Sequence, residues 1–262
     1  MKILLVGYGY WGKIWEKTIN NSDYEIYDII DPSIFNNNIN TVNFNNFDSV
    51  IIASPINTHL KLAELCIQKN KNVLIEKPGT TNLEDLQKLK NIKTDKNIGI
   101  GYVLVYCSGI QKIKKLNYNW KNVFFYRSNG SSQIRSDCDV VYDLLCHDIA
   151  IAYYIFQVIP IVIYNQKKIN SIYCILKFND TNCHFYCSRN NTQKLSSCNF
   201  INDNITIDYN DITKTLKKYE KNNIESETFQ EYPLNSQLSY LNTKFITNLD
   251  FAEKVHYILQ FL

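Results

Sequence analysis

The sequence predicts two architectures in series: a doubly wound, parallel α/β sheet, then an α+β domain on an open-faced, mostly antiparallel sheet. Three observations predict this. A glycine-rich turn, Gly7-Tyr8-Gly9-Tyr10-Trp11-Gly12, directly follows the apolar run Ile3 to Val6. Short apolar runs then alternate with amphipathic stretches as far as about residue 120. Beyond Ile161 the pattern becomes short strands separated by Asn and Asp turns.

Ile3 to Val6 is continuously apolar, as a parallel strand buried on both faces requires. A helix is expected over Trp11 to Asn20, then a strand over Tyr24 to Ile30 ending at Asp31-Pro32. A third strand spans Ser49 to Ala53 and ends at Ser54-Pro55. Thr58 to Lys69 reads as a helix, Asn72 to Ile75 as a strand, Leu83 to Leu89 as a helix and Ile98 to Val103 as a fifth strand. Residues 137 to 156 read as one long apolar helix. Strands follow at Ile161 to Tyr164, Ser171 to Phe178, His184 to Ser188, Leu195 to Phe200 and Ile205 to Tyr209. Asn179-Asp180, Asn190-Asn191 and Asn202-Asp203 supply turns between them. Asp250 to Leu262 reads as a closing helix. The expected domains are residues 1–118 and 119–262, with the final helix packing back on the first.

With 262 residues and a 45% apolar composition, the chain can bury a core in each of two domains. A net charge of +3, with the charges interspersed, argues against a nucleic-acid partner, which calls for a concentrated basic face. Lys112-Ile113-Lys114-Lys115 reads as a solvated helix face. No run approaches the roughly 18 apolar residues of a membrane span, so a cytoplasmic protein with no membrane partner is expected. Eight cysteines are dispersed without a CxxC pair, which points to reduced thiols and no metal site. The asparagine runs at 36–40 and 43–46 read as loops of a chain coded by an A/T-rich gene.

A Gly-x-Gly-x-x-Gly turn between a strand and a helix is the fingerprint of a dinucleotide-binding Rossmann domain. Gly7 suits the tight turn, Gly9 the approach of a pyrophosphate, and Gly12 the close packing of helix on strand. Free N–H groups at the helix start, with Tyr10 and Trp11, would face the phosphates. Asp31 ends the second strand, where a carboxylate accepts hydrogen bonds from ribose hydroxyls and repels a 2′-phosphate. NAD is therefore favoured over NADP as the cofactor.

Further segments carry a family resemblance. Ala53-Ser54-Pro55-Ile56-Asn57-Thr58-His59 and Val73-Leu74-Ile75-Glu76-Lys77-Pro78 resemble the sugar dehydrogenase superfamily of glucose–fructose oxidoreductase and myo-inositol dehydrogenase, the Gfo/Idh/MocA family. Gly101 to Tyr106, the Asp143-Leu144-Leu145-Cys146-His147 helix and Tyr232-Pro233-Leu234 extend the likeness over nearly the whole chain. Gly101 to Leu116 is most similar to the branch acting on UDP-linked aminosugars. The resemblance implies that Lys77 stands beside the nicotinamide and the substrate hydroxyl, with a cis bond before Pro78. It places Ser54, Pro55, Asn57, His59, Glu76, Lys77 and Pro78 near the cofactor. It places Tyr102, Tyr106, Asp143 and His147 at the substrate, with Lys77, Asp143 and His147 catalytic. It implies a homodimer or homotetramer formed through the outer sheet face, which the alternating Ile172, Cys174, Leu176 and Phe178 would permit. The chain departs from the family at Leu145 and at Cys138-Asp139-Val140, where the family usually carries glycines.

The residue types suit alcohol oxidation. His147 is the natural base, since an unperturbed histidine has a pKa near ~6.5. Asp143 lies four residues before it on the same helix face. Lys77 can stabilise the alkoxide as charge develops. Asp148 reads as a structural carboxylate, and His184 and His256 as structural or exposed. The expected activity is hydride transfer between NAD and a secondary alcohol or ketone of a sugar, foremost a UDP-linked hexose or aminosugar. A free aldose or inositol dehydrogenase and a non-catalytic NAD(H)-binding protein are the alternatives.

Overall fold

A computed structural model describes residues 1–80, 82–130, 138–230 and 232–262. The elements in chain order are β1 (Lys2–Val6), α1 (Tyr10–Asn20), β2 (Glu25–Ile30), α2 (Pro32–Phe35), β3 (Ser49–Ile52), α3 (Ile56–Gln68), β4 (Asn72–Ile75), α4 (Leu83–Asn91) and β5 (Ile98–Ile100). Then come α5 (Ser108–Leu116), β6 (Asn122–Gly130), a π-helical turn (Val141–Leu145) leading into α6 (Cys146–Phe156), β7 (Ile161–Lys167), β8 (Ser171–Phe178) and β9 (Thr181–Asn191). The chain closes with β10 (Leu195–Ile201), β11 (Ile205–Asn210), β12 (Thr215–Glu220), β13 (Asn223–Thr228), α7 (Pro233–Ser239) and α8 (Leu249–Leu259). Two compact units result, Met1–Val103 with Tyr232–Glu253 and Leu104–Glu231 with Lys254–Leu262. Against a single cut after residue 118, α5 counts with the second unit and residues 232–253 with the first.

The first unit is a parallel sheet in the order β2-β1-β3-β4-β5. The strand order reverses between β1 and β3, and such reversals open the ligand crevice at the carboxyl ends of the strands. Ile3, Leu5, Ile51 and Leu74 of the sheet bury against Trp15 and Ile19 of α1 and against Leu238, Leu241 and Phe245. Asn97 binds the returning C-terminal segment, donating to Tyr240 O at 2.5 Å and accepting from Phe245 N at 3.1 Å. β5 stops at Ile100 rather than Val103. Tyr102 N turns back on Ile100 O and Val103 N on Gly101 O, both at 2.8 Å, which removes these amides from strand pairing. Residues 103–106 form a 3-10 turn instead.

The second unit is an eight-stranded sheet in the order β13-β12-β11-β10-β6-β9-β8-β7. Every pair is antiparallel except β6 with β9. β6, β12 and β13 are not readable from the sequence. β6 carries aromatics on both faces, which hides its alternation, and β13 is exposed along its whole length. β9 runs straight through Asn190-Asn191, where a turn was expected. The expected single helix over 137–156 is a π-helical turn followed by α6, and residue 137 lies outside the described residues. Ile172, Cys174, Leu176 and Phe178 are buried in the core of this unit, so they cannot form an outer interface. The residues on the opposite face include Tyr126, Tyr173 and Tyr186. Lys112 pairs with Glu227, and Lys114 Nζ donates to Ile155 O at 2.7 Å near the end of α6, so the basic knot is largely spent within the unit.

A buried ionic chain ties α6 to the sheet. Arg127 of β6 donates Nη2 to Asp148 Oδ1 at 2.6 Å and Nε to Asp148 Oδ2 at 3.0 Å. Its Nη1 donates to Ser196 Oγ at 3.0 Å, and Ser196 Oγ donates to Asp211 Oδ2 at 3.1 Å. Lys214 Nζ meets Asp211 Oδ1 at 2.5 Å. Burial pushes the Asp148 carboxyl up and works against the Arg127 charge, but the carboxylate's field holds the guanidinium above its ordinary value, so the pair is a charged one. Burial pushes the Cys66 and Cys174 thiols up to about 12, and Cys183, Cys187 and Cys198 rise well above the ordinary value for the same reason. Among the described residues, no helix is long and apolar enough to cross a membrane, and no group of three or more His, Cys, Asp or Glu is placed to hold a metal.

Four of the seven described non-glycine residues at positive φ are asparagines: Asn36, Asn70, Asn117 and Asn179. Asn38 and Asn43 cap 3-10 turns with their side chains. The asparagine runs therefore do conformational work in these loops.

Two outcomes follow from the buried chain. Arg127→Met strands the Asp148 charge and is expected to cost about 3–5 kcal/mol in urea unfolding, with Asp148→Leu restoring part of the loss in the double variant. Burial opposes ionisation of Asp211, but Lys214 and Arg127 hold its carboxyl below the ordinary value. That stability is fully present above the unfolded value of about 3.9 and is lost as pH falls through the lower folded value. Asp211→Asn should therefore flatten the acid limb of stability against pH, read by circular dichroism.

Candidate functional site

The glycine turn sits at the reversal between β1 and β3. Gly7 has φ +93°, and a Cβ there would stand 2.5 Å from Ser54 N at the end of β3. A Cβ on Gly12 would stand 2.1 Å from Gly7 O, so α1 lies directly against the turn. Gly9 is different: nothing lies within 4 Å of where its Cβ would be. Gly9 is also the N-cap of α1, whose first-turn N–H groups have no intrahelical acceptor. Tyr10 is exposed, and Trp11 is half-buried. An open backbone face beside a helix N-terminus fits a dinucleotide pyrophosphate.

Asp31 holds this turn as well as standing beside it. Its Oδ2 accepts from Tyr8 N at 2.8 Å, and its Oδ1 accepts from Ser33 N at 3.0 Å and Ser33 Oγ at 2.6 Å. Desolvation opposes its charge, but these hydrogen bonds, led by that from Ser33 Oγ, hold the carboxyl below its ordinary value. An ionised carboxylate with lone pairs remaining can still accept from a ribose. Asn37, not singled out in the sequence, fixes the strand end by accepting from Asp31 N and donating to Ile29 O.

At the ends of β3 and β4 the expected residues divide. Pro55 and Asn57 are exposed, and Ser54 Oγ pairs with Thr58 Oγ1 at 2.6 Å. His59 is buried, with Nε2 2.8 Å from Ser54 O and Nδ1 3.1 Å from Gly79 O, so its ring straps two loops together. Glu76 is buried too. Its Oε1 accepts from the Trp15 indole at 2.7 Å, and its Oε2 lies 3.2 Å from Lys77 N. The Lys77–Pro78 bond is cis, and Lys77 is mostly buried beside it. Tyr102 is fully buried, with its ring 6.2 Å from Phe251. Trp15 is the residue the sequence reading missed here; in sequence it is only another apolar position of α1.

In the second unit, Asp143 lies in the π-helical turn and His147 opens α6. The turn is held by Asp139, whose Oδ1 accepts from Val141 N at 3.0 Å and Tyr142 N at 3.1 Å, and whose Oδ2 meets Lys167 at 2.6 Å. Asp143 is buried, 4.0 Å from Arg189 Nη1. Asp148 is the structural carboxylate expected, bound to Arg127. Tyr106 is buried, and His256 is buried with its ring 5.7 Å from Tyr142. His184 stacks on Phe124 at 4.5 Å. π-Turns are rare and concentrate at functional sites, and no local signal separates this one from an ordinary helix.

Gly9 and Gly12 should respond oppositely to the same methyl group. Gly12→Ala is expected to lower the melting temperature sharply. Gly9→Ala should leave stability within about 1 kcal/mol of the parent while dinucleotide affinity falls by about tenfold or more. Calorimetric melting and NADH titration read the two effects.

Comparison with known proteins agrees with this geometry. Residues 1–101 match the family model GFO_IDH_MocA, described as an oxidoreductase family with an NAD-binding Rossmann fold. The UDP-N-acetylglucosamine 3-dehydrogenase of Acidithiobacillus ferrooxidans is 29% identical over 105 residues, which cover 39% of this chain and 34% of that protein. A crystal structure of a UDP-N-acetylglucosamine 3-dehydrogenase from that organism superposes with a TM-score of 0.88 at 16% identity, over 100% of this chain and 96% of its own. An oxidoreductase from Agrobacterium radiobacter, solved with NAD+, L-tartaric acid and magnesium, superposes with a TM-score of 0.79 at 14% identity, over 99% and 94% of the two chains. These likenesses establish the fold along the whole chain, and residues 1–101 are similar to the NAD-binding Rossmann domain of the Gfo/Idh/MocA oxidoreductase family.

Proposed function

We propose that the chain is an NAD-dependent oxidoreductase that transfers hydride between the nicotinamide and a secondary alcohol or ketone of a UDP-linked hexose or aminosugar. One observation carries the reading. The open Gly9 turn after β1 and Lys77 after β4 stand at the carboxyl edge of the same parallel sheet. The proposed dinucleotide clamp and the lysine thus share one edge of one compact unit. The 29% identical relative, a UDP-N-acetylglucosamine 3-dehydrogenase, supports the substrate class.

In this reading Gly7, Gly9 and Gly12 shape the pyrophosphate seat, with Tyr10 and Trp11 at its rim. Asp31 accepts from the ribose hydroxyls and repels a 2′-phosphate, which favours NAD over NADP. Ser54, Pro55, Asn57 and Pro78 line the approach, while His59 and Glu76 serve it from below as struts. The bound nicotinamide supplies the hydride acceptor or donor. His147 takes the hydroxyl proton in oxidation and returns it in reduction. Lys77 donates a hydrogen bond to the same oxygen and stabilises it as negative charge develops. Asp143 orients the sugar and His147. Tyr102 and Tyr106, both buried, support the substrate site through packing. Assembly into a homodimer or homotetramer through the aromatic outer sheet face completes the reading.

Melting with NADH, NADPH, UDP, UDP-N-acetylglucosamine and free hexoses tests it, because a ligand at a hundredfold excess over its dissociation constant adds about 2.7 kcal/mol. NADH should raise the melting temperature, and the nucleotide sugar should raise it further. A gain from NADH with free hexoses alone would move the substrate to unlinked sugars; no gain from any dinucleotide would overturn the reading. Lys77→Met should keep the NADH shift and lose turnover by about 10²–10⁴-fold.

A further inference from the structure

Arg189 is a buried cation that the proposed chemistry has not used. It stands near the end of β9, and its side chain is 8% exposed. Burying a guanidinium is costly unless its donors are met and its charge is balanced. Nη1 donates to Cys138 O at 2.8 Å, and Nη2 donates to Ile169 O at 3.3 Å and to Asn170 Oδ1 at 3.1 Å. The backbone N of Arg189 donates to Asn170 O at 2.8 Å. Asp143 Oδ2 lies 4.0 Å from Nη1, and its side chain is equally buried.

The arrangement is specific to the π-helical turn. Cys138 lies directly before Asp139, whose side chain caps the turn. Asp143 N donates to Asp139 O at 2.9 Å, so the carboxylate sits one turn beyond the cap. The β7–β8 connection approaches the same place twice. Lys167 binds the Asp139 carboxylate, while Ile169 and Asn170 receive the Arg189 fork. One planar group thus grips the entrance of the turn, the β7–β8 connection and the field of Asp143. Lysine, a point charge without the fork, cannot satisfy all of these directions.

We infer that Arg189 is a positioning residue for the proposed reaction: it holds the Asp143 carboxyl group in place in the turn, and so acts on the substrate through Asp143. The inference rests on the reading of Asp143 as a substrate-facing carboxylate. Asp139, already bound by Lys167 and two amides, balances its own turn and leaves Arg189 to Asp143.

The test compares the full chain with Arg189→Met, Arg189→Lys, Asp143→Asn and the Arg189→Met/Asp143→Asn double, using NAD+ and UDP-N-acetylglucosamine. Arg189→Met should lower kcat by about tenfold or more with KM for NAD+ within about twofold, and Arg189→Lys should recover part of the loss. In the Asp143→Asn background, Arg189→Met should change kcat by less than about twofold. An equal loss in both backgrounds would overturn the inference. The same cycle read on urea unfolding needs no turnover. The two single effects on the unfolding equilibrium should multiply to about fivefold more than the double shows, whereas simple multiplication would overturn the inference. If Arg189→Met does not fold, Arg189→Lys carries both cycles with the same criteria. Wild type without turnover on this or any sugar would defeat the proposed function alone, and the unfolding cycle would still decide the pairing of Arg189 with Asp143.

Discussion

Glu76 is the joint of the N-terminal unit. A carboxyl group buried at the end of β4 accepts from the Trp15 indole and lies against the amide of Lys77, so one side chain binds α1 to the strand that delivers the lysine. α1 is also the helix pressed against Gly7 through Gly12. The seat of the dinucleotide and the position of the cation are therefore set by one hydrogen-bonded group. Burial makes these hydrogen bonds expensive to lose.

The second unit is governed by the same economy of buried charge. Arg127 with Asp148 pins the start of α6 to β6, and Arg189 meets the turn just before it. Three acidic residues within ten positions, Asp139, Asp143 and Asp148, are each given a different basic residue: Lys167, Arg189 and Arg127. The sheet beneath keeps its apolar side for α5 and α6 and leaves its aromatic side outward.

Much of the first unit is legible in the sequence, because its signals are local. Continuous apolar strands, a glycine turn and polar strand ends fix a parallel sheet and the places where Asp31, Ser54 and Lys77 emerge. Direction is not legible. His59 and Glu76 stand at strand or helix ends, where a cofactor contact is expected, yet their polar atoms turn inward to Ser54, Gly79 and Trp15. Residues 232–248 join the first sheet through Asn97 and Gln237, partners distant in sequence that no periodicity can announce. Arg189 is a lone cation in an alternating strand, and its meaning lies in a helix that the strand pattern does not mention.

The glycines carry a last consequence. This chain spends asparagine where the backbone must turn left-handed, an exchange that an A/T-rich gene favours and that the amide side chain tolerates. Eight glycines survive that economy. Seven have a protein atom within 3.1 Å of where a methyl would stand, so a side chain there would have to displace a neighbour. Gly9 has no such neighbour. Its bare α-carbon faces open space at the start of α1, on the side where the proposed dinucleotide would approach.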